Sequence, residues 1–119
     1  MASTIENSPE VVECFVDGAL TGWYNFLYGD PTAADALILA ANADMTQDKI
    51  EFARNMMKDE GIVDSGEALE NGIGAMSDEV IGDFFQKMVD AGVIEAEVDW
   101  KASYTLEFTN KKVGMDIKG

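Results

Sequence analysis

The side chains that could carry out chemistry in this sequence are carboxylates and a single thiol. Its 119 residues include 23 Asp and Glu, one Cys and no His. Without histidine, a Ser–His–Asp triad, a histidine general base and a zinc site built on imidazole are excluded. Cys14 follows Glu13 and lies near Asp17, and negative charge disfavours the thiolate that a nucleophile requires. An enzyme mechanism would therefore have to use carboxylates or Cys14, and we expect Cys14 to be inert and no residue to be catalytic.

Two other segments share some features with known ligand sites. Four acids fall within residues 59–67, but they lack the alternating Asp/Asn pattern, central glycine and closing Glu of a calcium loop. Three glycines fall within residues 66–74, but neither a Lys-Ser/Thr pair nor a helix start follows them directly, as a phosphate-binding loop requires. We expect no metal and no cofactor.

An aromatic run is the remaining candidate for ligand binding. Trp23, Tyr24, Phe26 and Tyr28 fall within one predicted helix. Such residues either line a pocket or pack in a core, and core packing is the favoured interpretation. If they line a pocket, Trp23, Tyr24 and Tyr28 are the candidate ligand contacts.

The charge excludes several classes of partner. The formal net charge is −15, and the first 48 residues contain no base. Such a chain repels phosphate backbones and anionic headgroups, so neither a nucleic acid nor a membrane surface is an expected partner. The longest uncharged stretch, residues 18–29, is shorter than the roughly 20 apolar residues that span a bilayer. Residues 1–10 do not have the pattern of a signal peptide.

The aromatic run belongs to the clearest predicted element, a helix over residues 9–28. Ser8 and Pro9 are typical of a helix start, and two neighbouring rows of apolar residues give the helix one wide apolar face. Gly18 and Gly22 lie beside these rows, where the lack of side chains would let another helix approach closely.

Three further helices are predicted over residues 31–42, 47–60 and 78–91. Thr46 and Ser77 are typical N-caps of the last two, and Gly61 and Gly92 are typical of their ends. These patterns indicate a mainly α protein with four to five helices and little strand.

The rest of the chain gives weaker signals. Residues 67–70 suggest a short turn, and the spacing of Trp100 and Tyr104 suggests one helical turn. Residues 62–63 and 105–109 are candidate strands. No linker divides the sequence, so residues 1–119 are interpreted as a single helical segment.

Several segments, in the same order along the chain, resemble one known family. They read PEVVECFVDGALTGWY (9–24), LYGDPTAADALI (27–38), MTQDKI (45–50), GIVDSGEA (61–68), GIGAMSDE (72–79), DAGVI (90–94) and YTLEF (104–108). Together they resemble the C-terminal helices of periplasmic solute-binding proteins of ABC importers, in the nitrate, alkanesulfonate and thiamine-pyrimidine-precursor group.

The resemblance implies the C-terminal part of a two-lobed α/β fold. Residues 1–8 would be a leader after the hinge, residues 9–108 helices that back a lobe, and residues 109–119 a basic tail. The full-length protein would be a non-enzymatic receptor in a periplasmic or otherwise extracytoplasmic location. It would bind a small organic or anionic solute and dock on an ABC permease. A free-standing acidic helical interaction domain is the alternative, and a small carboxylate enzyme is a third.

Overall fold

The computed structural model describes residues 2–119 and the side chains from Ser3 onward, and this part of the chain is mainly helical, at 62% helix. It contains six α-helices and two 3₁₀ turns, and no strand occurs within it. The elements are α1 (Ala2–Asn7), α2 (Pro9–Tyr28), α3 (Thr32–Ala41), α4 (Gln47–Asp59), α5 (Ala68–Asn71), α6 (Asp78–Asp90), the first 3₁₀ turn (Trp100–Ser103) and the C-terminal 3₁₀ turn (Met115–Lys118). The prediction of a mainly α protein is confirmed.

Local sequence signals fix the ends of α4 and α6. Thr46 Oγ1 accepts a hydrogen bond from Lys49 N–H at 3.4 Å, and Ser77 Oγ accepts one from Val80 N–H at 3.2 Å. Gly61 and Gly92 follow these helices with φ of +59° and +70°, a conformation that glycine adopts without steric cost. The predicted caps and terminators of α4 and α6 are confirmed, whereas Ser8, before α2, makes no side-chain cap hydrogen bond.

Outside the main helices, the structure differs from the sequence-based expectation at the N-terminal residues and at the two candidate strands. Residues 2–7 form a short helix, α1, that the sequence patterns did not predict. Neither candidate strand forms, because the backbone groups bond locally instead. Ile62 N–H donates to Met57 O at 3.0 Å, and Thr109 N–H donates to Leu106 O at 3.3 Å.

The core is small and lies between α2 and the C-terminal half of the chain. Tyr24, Leu27 and Ile73 are buried together. The C-terminal 3₁₀ turn packs along α2, so that Met115 and Ile117 reach this core. Contacts between distant parts of the chain thus hold α2 from one side.

The chain is more open than a compact domain of its size. Its accessible surface is 8103 Å², whereas about 6,300 Å² is typical for this mass. Its radius of gyration is 17.1 Å, whereas about 13.5 Å is typical for this length. The difference of about 1,800 Å² exceeds the roughly 800 Å² that each partner contributes to a standard protein interface.

A buried ion pair joins α3 to α4. Asp35 is 5% exposed, its carboxylate pairs with the Arg54 guanidinium, and Gln47 Nε2 donates to Asp35 Oδ2 at 2.8 Å. These two hydrogen bonds, with that from Arg54 the stronger cause, hold the pKa of Asp35 below its usual 3.8. The sequence offers no signal for this pairing, since the two residues belong to different helices.

This ion pair predicts an acid-sensitive contribution to stability. Because the folded-state pKa of Asp35 is depressed, the contribution is complete above its unfolded pKa and is lost as pH falls through the folded pKa. We expect Arg54→Met to lower the midpoint of urea unfolding strongly at neutral pH. The difference between the midpoints of the variant and the parent should become smaller below about pH 4. Lys101→Met is the control, because its pair with Asp78 is exposed. Equal losses in both variants would contradict the prediction.

Candidate functional site

The three predicted ligand contacts lie in different environments. Tyr24 is 0% exposed, and its hydroxyl accepts a hydrogen bond from Ile73 N–H at 3.0 Å. The Tyr28 hydroxyl donates to Asp64 Oδ2 at 2.9 Å. Trp23 points to another side of α2, where its side chain is 40% exposed. The structure therefore brings Tyr24 and Tyr28 to the core side and leaves Trp23 as the one with an accessible ring.

A buried polar cluster surrounds Tyr28. Asp64, whose side chain is 3% exposed, also accepts a hydrogen bond from Lys118 Nζ at 2.6 Å. Burial and the hydrogen bond to Asp64 raise the pKa of Tyr28, and the hydrogen bond from Lys118 to Asp64 raises the pKa of Lys118. Asp64 Oδ1 has no partner among the described residues. The cluster connects the C-terminal 3₁₀ turn to α2 and is a structural link.

The opposite side of α2 is also apolar, and it is open. Val11 is 57% exposed and Phe15 is 77% exposed. We call this surface the outer face of α2, and helical spacing places on it Val11, Phe15, Gly18, Ala19 and Gly22. Phe26 follows them along the helix but packs against the core, with the Arg54 guanidinium 4.6 Å from its ring centroid. The outer face carries no charged residue. A helix that is apolar on opposite sides is typical of an element buried on both.

The two glycines predicted to admit another helix lie on this outer face. A Cβ at Gly18 or Gly22 would meet nothing within 4 Å. No helix of the described chain packs there. A shallow depression of about 260 Å³ lies at this position, and it is bordered by Ala19, Gly22, Trp23 and Phe26.

A second apolar surface lies on α6 and the first 3₁₀ turn. Trp100 stacks between Phe85 and Tyr104, with ring centroids 6.0 Å apart on each side. The Tyr104 hydroxyl donates to Asp78 Oδ1 at 2.6 Å, so the stack is fixed to the start of α6. The predicted turn that carries Trp100 is present as this 3₁₀ turn.

Tyr104 offers a spectroscopic test of this arrangement. Partial burial, the hydrogen bond to Asp78 and the Asp78 charge raise the pKa of Tyr104 to about 12. Because the unfolded chain loses this proton first, stability should fall as pH rises above 10.0. We expect Asp78→Asn to return the pKa toward 10.0, measured from phenolate absorbance against Tyr104→Phe while circular dichroism confirms the helices. Titration of Tyr104 near 10.0 in the parent would contradict the geometry.

The described residues contain no arrangement that points to metal chemistry or to a membrane span. Within residues 2–119, no three Cys, Asp or Glu side chains come together as metal ligands. No helix of that range combines the length and apolar character needed to cross a bilayer.

Comparison with protein-family models, curated proteins and solved structures finds no match to this chain. The features of this chain that indicate a function are therefore its own residues and their geometry, chiefly the two open apolar surfaces.

Proposed function

We propose that this chain is the C-terminal helical part of the solute-binding component of an ABC importer. In that role it is not an enzyme. Its helices back the lobe against which they pack, and the upstream lobes supply most of the solute site. The solute would be a small organic or anionic molecule of the pyrimidine, sulfonate or nitrate kind, and an ABC permease would be the partner of the full-length protein, in an extracytoplasmic location.

The observation that carries the proposal is the outer face of α2. On one side of this helix Tyr24 and Leu27 already pack against Ile73, yet the other side exposes Phe15 and Val11. Large apolar side chains in such a contiguous stripe are typical of a surface that another protein layer covers. The collinear resemblance to solute-binding proteins supplies the identity of that layer, a lobe of the same protein.

The area that the chain leaves exposed is large enough to be covered by a second protein layer. About 1,800 Å² more surface is exposed than a compact chain of this mass would expose. Burial of apolar area stabilises a protein by about 25 cal/mol per Å². Covering this surface would therefore increase the free energy of unfolding considerably, even if only part of the surface is apolar. Packing against a lobe would thus complete a core that is small in the isolated chain.

The test compares one substitution in two contexts. Phe15→Asp should hardly change the melting temperature of the isolated chain, because that side chain is 77% exposed. When the upstream coding region is expressed in frame with the chain, the same substitution should destabilise the protein by about 2–5 kcal/mol, because it would bury a charge. Cys14→Ser, at an exposed position of the same helix beside the outer face, is the control in both contexts.

Solute binding gives a second readout. Thermal shifts with pyrimidines, sulfonates and nitrate should occur with the upstream lobes present and be absent from the isolated chain. A shift in the isolated chain would contradict a purely structural role. A small, equal effect of Phe15→Asp in both contexts would contradict coverage of α2 by a lobe.

A free-standing acidic interaction domain is the second candidate. The buried Asp35–Arg54 pair and the side-chain caps at Thr46 and Ser77 form entirely within this chain, which favours it. This alternative predicts a monodisperse chain that unfolds cooperatively and binds little hydrophobic dye. The solute-binding proposal predicts strong dye binding that Phe15→Asp reduces.

A further inference from the structure

The unit of α6 and the first 3₁₀ turn encloses an apolar cleft. It has a volume of about 370 Å³ and is open to solvent. Ser103 is the one polar residue of its lining, and the apolar residues there include Phe84, Phe85, Ile94, Val98 and Trp100. Phe84 is 61% exposed, so a binding partner would find a large apolar side chain at the mouth.

The cleft is held open by contacts within the unit. Trp100 forms part of the aromatic stack, and the Asp78 carboxylate binds both the Tyr104 hydroxyl and Lys101 Nζ, the latter at 3.3 Å. A Cβ at Gly82 would lie 3.2 Å from the Trp100 ring, so glycine lets the indole approach α6 closely. A preformed cleft does not have to be opened by its ligand.

The loop beside the cleft is acidic, and a nearby cation, Lys101 Nζ at 5.3 Å from the centroid of the Trp100 ring, is already paired with Asp78. Glu95, Glu97 and Asp99 alternate with Ala96 and Val98 in the loop that lines one side. All three acids are exposed, and none forms an ion pair or a side-chain hydrogen bond within residues 2–119.

We propose that this cleft docks a segment of another protein that combines apolar side chains with Lys or Arg. The apolar side chains would contact Phe84, Val98 and Trp100, and the cations would face Glu95, Glu97 and Asp99. Complementary charge around an apolar centre is the usual anatomy of such an interface. The inference goes beyond the role proposed for α2, because the cleft contains no residue of that helix.

A second copy of this chain does not meet these requirements. Its net charge of −15 opposes self-association. Two bases of its tail are already engaged, since Lys111 Nζ binds Glu13 Oε1 at 2.5 Å and Lys118 binds Asp64. The occupant is therefore a different, cationic partner.

A designed peptide tests the inference on the whole chain. The probe is an amphipathic Leu/Lys helix of about 18 residues, and the control peptide has Glu at every Lys position. The reporter protein carries Trp23→Phe, which leaves Trp100 as its single tryptophan. We expect saturable change of Trp100 fluorescence with the Lys peptide and none with the Glu peptide.

Matched variants separate docking from simple charge attraction. Phe84→Ser should weaken binding about tenfold, whereas Phe15→Ser, which changes a more exposed phenylalanine on α2, should leave it unchanged. The triple variant E95Q/E97Q/D99N keeps the cleft wall and should also weaken binding about tenfold and reduce its salt dependence. Circular dichroism checks that each variant is folded.

Several results would overturn the docking proposal while leaving the role of α2 untouched. These are no saturable binding, equal binding of the Glu peptide, unchanged affinity of Phe84→Ser, or a loss with Phe15→Ser as large as with Phe84→Ser. An uncharged aromatic such as indole binding as tightly as the Lys peptide would also overturn it, because the cleft would then be a small-molecule pocket.

Discussion

Replacing Tyr24 with alanine is expected to destabilise the fold by about 3–5 kcal/mol, as is usual when a buried aromatic side chain is truncated. Tyr24 is fully buried at the centre of a core that it shares with Leu27 and Ile73. A domain of this length has a total unfolding free energy of about 6–18 kcal/mol, and this small core favours the lower end. The loss is therefore comparable to the whole stability.

Tyr24→Phe measures the contribution of the hydroxyl to stability separately from that of the ring. The variant keeps the ring but removes the acceptor of the Ile73 N–H, and an unsatisfied buried donor costs about 1–3 kcal/mol. Urea unfolding followed by circular dichroism measures both losses. Trp23→Phe, at a partly exposed position beside it, should change stability by less than about 1 kcal/mol. A neutral Tyr24→Phe would show that the hydroxyl does not bond Ile73.

Gly114→Ala is expected to cost about 2–5 kcal/mol, from two physical causes. Gly114 has φ of +75°, where an L side chain costs about 1–2 kcal/mol. The added Cβ would lie 3.1 Å from both Thr21 Cα and the Tyr24 ring, so the C-terminal 3₁₀ turn would have to move away from α2. Crowding of this kind costs about 1–3 kcal/mol.

Gly92→Ala is the matched control for this prediction. Gly92 has a similar φ of +70°, but a Cβ there meets nothing within 4 Å. The difference between the two urea midpoints therefore measures the close approach of the C-terminal turn to α2. Equal losses in the two variants would mean that this approach does not occur.

Sequence patterns predict the features that depend on residues close together in the chain, and they miss the features that depend on residues far apart. Helices α2, α4 and α6 and the caps at Thr46 and Ser77 depend on residues within a few positions of one another, so patterns in the sequence predict them. The candidate strand at residues 62–63 failed because a strand needs a distant partner. Ile62 instead bonds the end of α4.

The candidate site was predictable only in part, for the same reason. The sequence places Trp23, Tyr24 and Tyr28 on one helix, but their separation into an exposed ring and two core-side rings depends on which face other elements cover. The buried carboxylates Asp35 and Asp64 could not be identified, since their partners Arg54 and Lys118 are 19 and 54 residues away.

The sequence by itself determined the helical class, the helix ends, the strong negative charge and the absence of imidazole chemistry. These follow from composition and from interactions between near neighbours along the chain. Only the tertiary structure decided that Tyr24 is the centre of the core, that Phe15 is left open, and that Trp100 closes a cleft with α6. Each of these depends on contacts between segments far apart in sequence, whose geometry no local pattern encodes.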